Sequence, residues 1–81
     1  MAVNVTRQGS FLVIDNGIKK EYFNAAWCSL DFAGSFAVLK DNGRNGNIGA
    51  SYTISFTDFQ YAGIAKSTEA DIVASLQANI G

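Results

Sequence analysis

The sequence predicts an α+β fold: a five- to six-stranded antiparallel meander, curled into a small barrel or roll, with one C-terminal helix packed on it. Three observations predict it. Tyr52, Ile54 and Phe56 alternate with Ser51, Thr53, Ser55 and Thr57, the period of two that gives a strand one apolar and one polar face. Short turn signals (Gly9-Ser10, Asn16-Gly17, Gly34-Ser35) recur between apolar runs, as in a chain of hairpins. After Lys66 the apolar spacing changes to that of a helix.

In chain order, Val3, Val5 and Arg7 alternate with Asn4 and Thr6, a short strand before a turn at Gln8-Gly9-Ser10. Ser10 to Asp15 is a continuous apolar run, the pattern of a central strand covered on both faces. Asn16-Gly17 predicts a tight hairpin, since both residues accept positive φ. Ile18 to Phe23 returns as a strand, and Lys19, Lys20 and Glu21 mark it as a sheet edge. From Asn24 to Phe32, Cys28, Leu30 and Phe32 alternate with Trp27, Ser29 and Asp31, which reads as a strand. Ala25-Ala26 is equally compatible with the start of a helical turn. Phe36 to Lys40 is a further strand after Ala33-Gly34-Ser35.

Asp41 to Gly49 holds three Gly and three Asn and reads as a loop. Ser51 to Phe59 follows, its alternation breaking after Phe56. Either a bulge turns Phe59 inward or the strand ends near Thr57. Ser67 or Thr68 can cap the helix, Thr68 with Asp71 forming a variant capping box, and Ile72, Val73, Leu76 and Ile80 make one apolar stripe. The strands thus occupy about residues 2–59 and the helix about 68–79 of a single domain, 1–81. No internal repeat is apparent. The apolar face of Ser51–Phe59 is expected to meet the Phe11–Ile14 strand and the helix stripe.

Composition narrows function. With 81 residues, 48% of them hydrophobic, the chain can build one core. Only 16% are charged, which leaves few charges to cover the outside and predicts a homo-oligomer. The net charge of −1 without basic clusters argues against nucleic acid and anionic lipid. The longest apolar run is too short for a membrane span, and no signal peptide is visible, so the expected compartment is the cytoplasm.

The chain has no His and a single Cys, which removes His bases, triads and most zinc or iron sites. No cofactor is expected, Cys28 reads as a small buried hydrophobe, and Asp58, whose phase points inward, reads as a turn or bulge residue. The Gly-rich loop lacks two essential ligands of a calcium loop and the GK[ST] ending of a phosphate loop. Gly43-Arg44-Asn45-Gly46 has the letters of an RNA-clamping motif without its fold. The residues left as a candidate interaction surface are Trp27, Arg44 and the hydroxyl row Ser51, Thr53, Ser55 and Thr57.

YTISFTDF, a small-residue linker and the capped helix STEADIVASLQANI together resemble the C-terminal part of short phage- or prophage-encoded β proteins. The resemblance covers residues 51–81. It implies an oligomeric accessory or structural protein of a virion with no catalytic residues, located in the virion if the chain is phage-encoded. The expectation is therefore a non-enzymatic assembly or interaction protein, partnered by its own copies or other structural proteins. The alternative is a small Sm-like or OB-like barrel that binds single-stranded nucleic acid.

Overall fold

The computed structural model describes residues 2–41 and 51–80. Among these described residues eight strands and one helix follow in order: β1 (Val3–Gln8), β2 (Phe11–Asp15), β3 (Lys20–Asn24), β4 (Cys28–Ala33), β5 (Phe36–Asp41), β6 (Ser51–Ser55), β7 (Phe59–Tyr61), β8 (Ile64–Ala65) and α1 (Glu69–Gln77). They form a five-stranded sheet, β3-β2-β1-β7-β8, and a three-stranded sheet, β4-β5-β6. The fold is α+β and β-rich, as expected, but the two sheets do not close into a barrel.

The reason lies in the stretch Ser51–Phe59, which is not one strand. β6 ends at Ser55, and a turn closed by the Asp58 amide on the Ser55 carbonyl (3.0 Å) follows. Phe59 then begins β7 in the other sheet, only 1% exposed. A turn, rather than a bulge, aims Phe59 inward. Because β7 reaches its sheet after a crossover through the second one, it runs parallel to β1, with Val3 beside Phe59 and Val5 beside Tyr61. The strands consequently extend to Ala65, beyond the expected limit.

The inner faces of both sheets and the buried side of α1 share one core. Val5, Leu12, Ile14 and Phe59 come from the first sheet, Ala37, Leu39 and Ile54 from the second, and Ile72 and Leu76 from the helix. Ile80 packs against it, partly buried. The Thr68 Oγ1 accepts from the Asp71 amide at 3.3 Å, so of the two candidate caps Thr68, not Ser67, is the N-cap. No basic residue lies in the last helical turn; instead Arg7 of β1 donates to the Asn79 carbonyl beyond it, a cation at the negative end of the helix dipole.

Leu12, Val13 and Ile14 are all buried, as a covered central strand requires, and β3 is a sheet edge. The Asn16-Gly17 hairpin is looser than the dipeptide predicts. Asp15 pairs with Lys20, so the loop holds four residues, and Asn16 does not take positive φ. Its side chain works elsewhere: Oδ1 accepts from the amides of Ile18 and Lys19, and Nδ2 donates to the Tyr52 hydroxyl at 3.1 Å, tying this loop to β6.

The fold also contains a repeat. β1-β2-β3 and β4-β5-β6 are the same meander in the same register. Gln8 pairs with Phe11 across Gly9-Ser10, as Ala33 pairs with Phe36 across Gly34-Ser35. Both glycines have φ near +60°, the place of Gly at the first centre of a type II′ turn. Val13 pairs with Tyr22 as Val38 pairs with Thr53, and Leu12 with Phe23 as Ala37 with Ile54. Each meander leaves through the same turn. The Ala25 amide donates to the Ser10 carbonyl (2.9 Å) and the Phe56 amide to that of Ser35 (3.0 Å). The Trp27 amide donates to Asn24, as that of Asp58 does to Ser55. β4 and β7 therefore occupy equivalent positions, each opening the unit after a meander.

Candidate interaction surface

β6 lies at an edge of its sheet, and its pairing to β5 decides which side chains look outward. Tyr52 and Ile54 join the core, so Ser51, Thr53 and Ser55 share the outer face. Ser51 and Thr53 are exposed and Ser55 is half-buried. Their neighbours across β5 are Lys40, Val38 and Phe36 respectively. Thr57 belongs to the following turn, where its hydroxyl and that of Ser55 lie 3.0 Å apart. The hydroxyl row thus exists, and its last member is bent away with the turn.

Trp27 is half-buried in the turn before β4, on the opposite side of β5 from β6, so it does not join the row. Arg44 and most of the Gly-rich loop lie outside the described residues. What the hydroxyl reading missed is the apolar centre of the face, Phe36 (46% exposed) and Val38. The alternation of Phe36, Val38 and Lys40 in FAVLK carries that signal once β5 is placed in the middle of the sheet.

Comparison of the two meanders sharpens the point. In the first, Phe11 and Tyr22 meet edge to face on the outer surface, centroids 6.3 Å apart, and Val13 beside them is only 2% exposed. In the second, Phe36 stands in the place of Phe11 but Thr53 in that of Tyr22. The aromatic partner is missing and Val38 is only half-buried. The charges on this face are Lys40 and Asp31, paired at 3.4 Å and both well exposed, a contact worth at most about 1 kcal/mol.

Cys28 is 5% exposed within the core, and its Sγ lies 3.7 Å from the Ser29 carbonyl. Burial, with the Asp41 carboxylate adding to it, pushes its thiol up to about 11, so it is protonated and unreactive at neutral pH. The backbone of Asp58 closes the turn described above, and its carbonyl accepts from the Val3 amide at 2.8 Å. Among the described residues no pocket opens at the surface, no three acidic or thiol side chains gather as metal ligands, and no helix is long and apolar enough to cross a membrane. The face can bury apolar area and share hydroxyl hydrogen bonds.

No protein-family model, no curated protein and no solved structure matches this chain.

Proposed function

We propose that the chain is a non-catalytic assembly protein that associates with copies of itself, or with other structural proteins, through the outer face of the β4-β5-β6 sheet. The observation that carries this reading is the uncovered centre of that face, Phe36 and Val38, bordered by the uncharged row Ser51, Thr53 and Ser55. On the other sheet the equivalent valine, Val13, is 2% exposed beside the Phe11–Tyr22 pair, whose rings themselves remain exposed. Burying apolar area inside a polar rim is how protein interfaces are built. The resemblance of residues 51–81 to small phage-encoded β proteins points the same way, to an accessory or structural role in a virion.

The test is Thr53→Lys. It places a desolvation-averse ammonium beside the apolar centre of the face while leaving the core untouched. Sedimentation at tens of micromolar should show the wild-type chain above its monomer mass and the variant close to it, with unchanged circular dichroism. A wild-type monomer, or an equally assembled variant, returns the face to water. Single-stranded oligonucleotide binding at low salt would favour the nucleic-acid alternative instead.

A further inference from the structure

The repeat shows where the second sheet is incomplete. In the first, the outer edge of β1 is filled by β7: the Val3 amide donates to the Asp58 carbonyl at 2.8 Å, and the Ala62 amide donates to the Val5 carbonyl at 2.9 Å. Val3 and Val5 therefore direct their main-chain groups toward that edge. Cys28 and Leu30 of β4 hold the equivalent positions, yet among the described residues no strand pairs with β4 on that side. The inner-face side chains register the difference. Val5 is fully buried whereas its counterpart Leu30 is half-buried, although Cys28, at 5% exposed, is as well covered as its counterpart Val3.

We propose that the β4 edge is a docking edge for β4 of a second copy of this chain, joined antiparallel about a two-fold axis. This rests on the reading that the chain self-associates and names a strand edge as the contact. Antiparallel pairing about an axis normal to the sheet keeps both inner faces on one side; a parallel two-fold pair would turn one of them outward. The strand is self-complementary in one register. Leu30 opposes the partner's Leu30, Cys28 opposes the partner's Phe32, and Ser29 opposes the partner's Asp31. Of the two neighbouring registers that preserve the faces, one sets Asp31 against the partner's Asp31 and is disfavoured; the other sets Ser29 against the partner's Ser29 and leaves Phe32 opposite the partner's Ala26, outside β4, so it pairs less of the strand. In the chosen register every inner residue is a narrow, doubly hydrogen-bonded pair. The edge is also poorly protected. β3, one edge of the other sheet, carries Lys20 and Glu21, the latter paired at 2.9 Å with Lys19 just before the strand, whereas the charge on β4 is Asp31.

Ser29 separates association from folding because its cross-strand residues on the two sides carry opposite charges. Within the chain it faces Lys40; across the proposed interface it faces the partner's Asp31. Ser29→Asp should raise the dimer Kd by roughly five- to tenfold, through two symmetric like-charge contacts, while raising the urea midpoint of the dilute monomer. Ser29→Lys should do the reverse, lowering Kd several-fold and lowering the monomer midpoint. Both are measured by sedimentation equilibrium and by unfolding below the dimer Kd. Opposite signs in the two assays support the edge. Shifts of Kd in one common direction, or within twofold of wild type, overturn it. If Thr53→Lys dissolves the assembly while the Ser29 variants do not move it, the face reading stands and the edge inference fails. A monomer at every concentration ends both.

Discussion

Tyr22→Thr tests the idea that the two meanders differ by one aromatic side chain. The substitution gives the first meander the residue that the second has at the equivalent position, Thr53. Both residues favour strands, so the backbone preference changes little. Two effects remain. The edge-to-face contact with Phe11 at 6.3 Å is lost, worth about 0.5–1.5 kcal/mol. Val13, now 2% exposed, is uncovered toward the half-buried state of Val38, which removes part of the ~25 cal/mol per Å² that its burial contributes. Together they predict a destabilisation of about 1–2 kcal/mol, a fall in Tm of roughly 4–15 °C for a domain this small. Urea unfolding by circular dichroism measures it, and the m-value should stay constant because the core is intact. A double-mutant cycle with Phe11→Leu isolates the ring pair, with an expected coupling of about 0.5–1.5 kcal/mol. A loss below about 0.3 kcal/mol, or a coupling near zero, would refute the claim that this pair is what covers Val13.

Two further outcomes follow from the backbone and from Cys28. Ala62 has φ +52° and Gly63 φ +82°, the two positive angles of a type I′ turn between β7 and β8. A left-handed Ala costs about 1–2 kcal/mol and a Gly about 0.5–1 kcal/mol in chain entropy, so Ala62→Gly should raise stability by roughly 0.5–1 kcal/mol. A lowered urea midpoint would count against the assigned turn. For Cys28, the thiol ordinarily titrates at 9.0 and does so at about 11 in the fold. Below pH 9 both states hold the proton. Between about pH 9 and 11 the unfolded chain ionises while the folded one stays neutral, so stability is lost as pH rises, by about 2–3 kcal/mol. Cys28→Ala should remove that slope; parallel stability profiles for the two proteins over this window would show that the thiol is not buried as described.

Local patterns in the sequence were reliable where one residue decides one bond. Thr68 caps the helix because its hydroxyl reaches the Asp71 amide, a relation fixed by spacing alone. The buried run Leu12–Ile14 and the charged edge β3 were legible for the same reason. Asn16-Gly17 was misleading because the Asn side chain took three hydrogen bonds, one of them to Tyr52 far along the chain. No local rule anticipates a partner 36 positions away. The split of Ser51–Phe59 between two sheets was half visible. The broken alternation after Phe56 is in the sequence, but only the return of β7 to β1 distinguishes a turn from a bulge. On the candidate surface, the hydroxyl row followed from periodicity, whereas the apolar centre required knowing that β5 lies between β4 and β6.

The repeat was the hardest feature to read, and its concealment has a physical cause. A meander is specified by the positions of its turns and by the parity of its buried side chains, and many residues satisfy either. Gly9-Ser10-Phe11 and Gly34-Ser35-Phe36 preserve the turn that demands glycine. Elsewhere only volume and polarity are kept: Leu12 becomes Ala37, Phe23 becomes Ile54, Ile14 becomes Leu39. Volume lost at one site can be regained at another in a shared core. The outer faces are under no such constraint, and there the copies diverge. Tyr22 against Thr53, and the edge of β1 filled by β7 against that of β4, which no strand among the described residues pairs, are differences between otherwise matching units. Matching units with unmatched outer surfaces place the divergence where a partner would be met, which is why the second meander, rather than the Gly-rich loop or Cys28, is the part of this chain to perturb first.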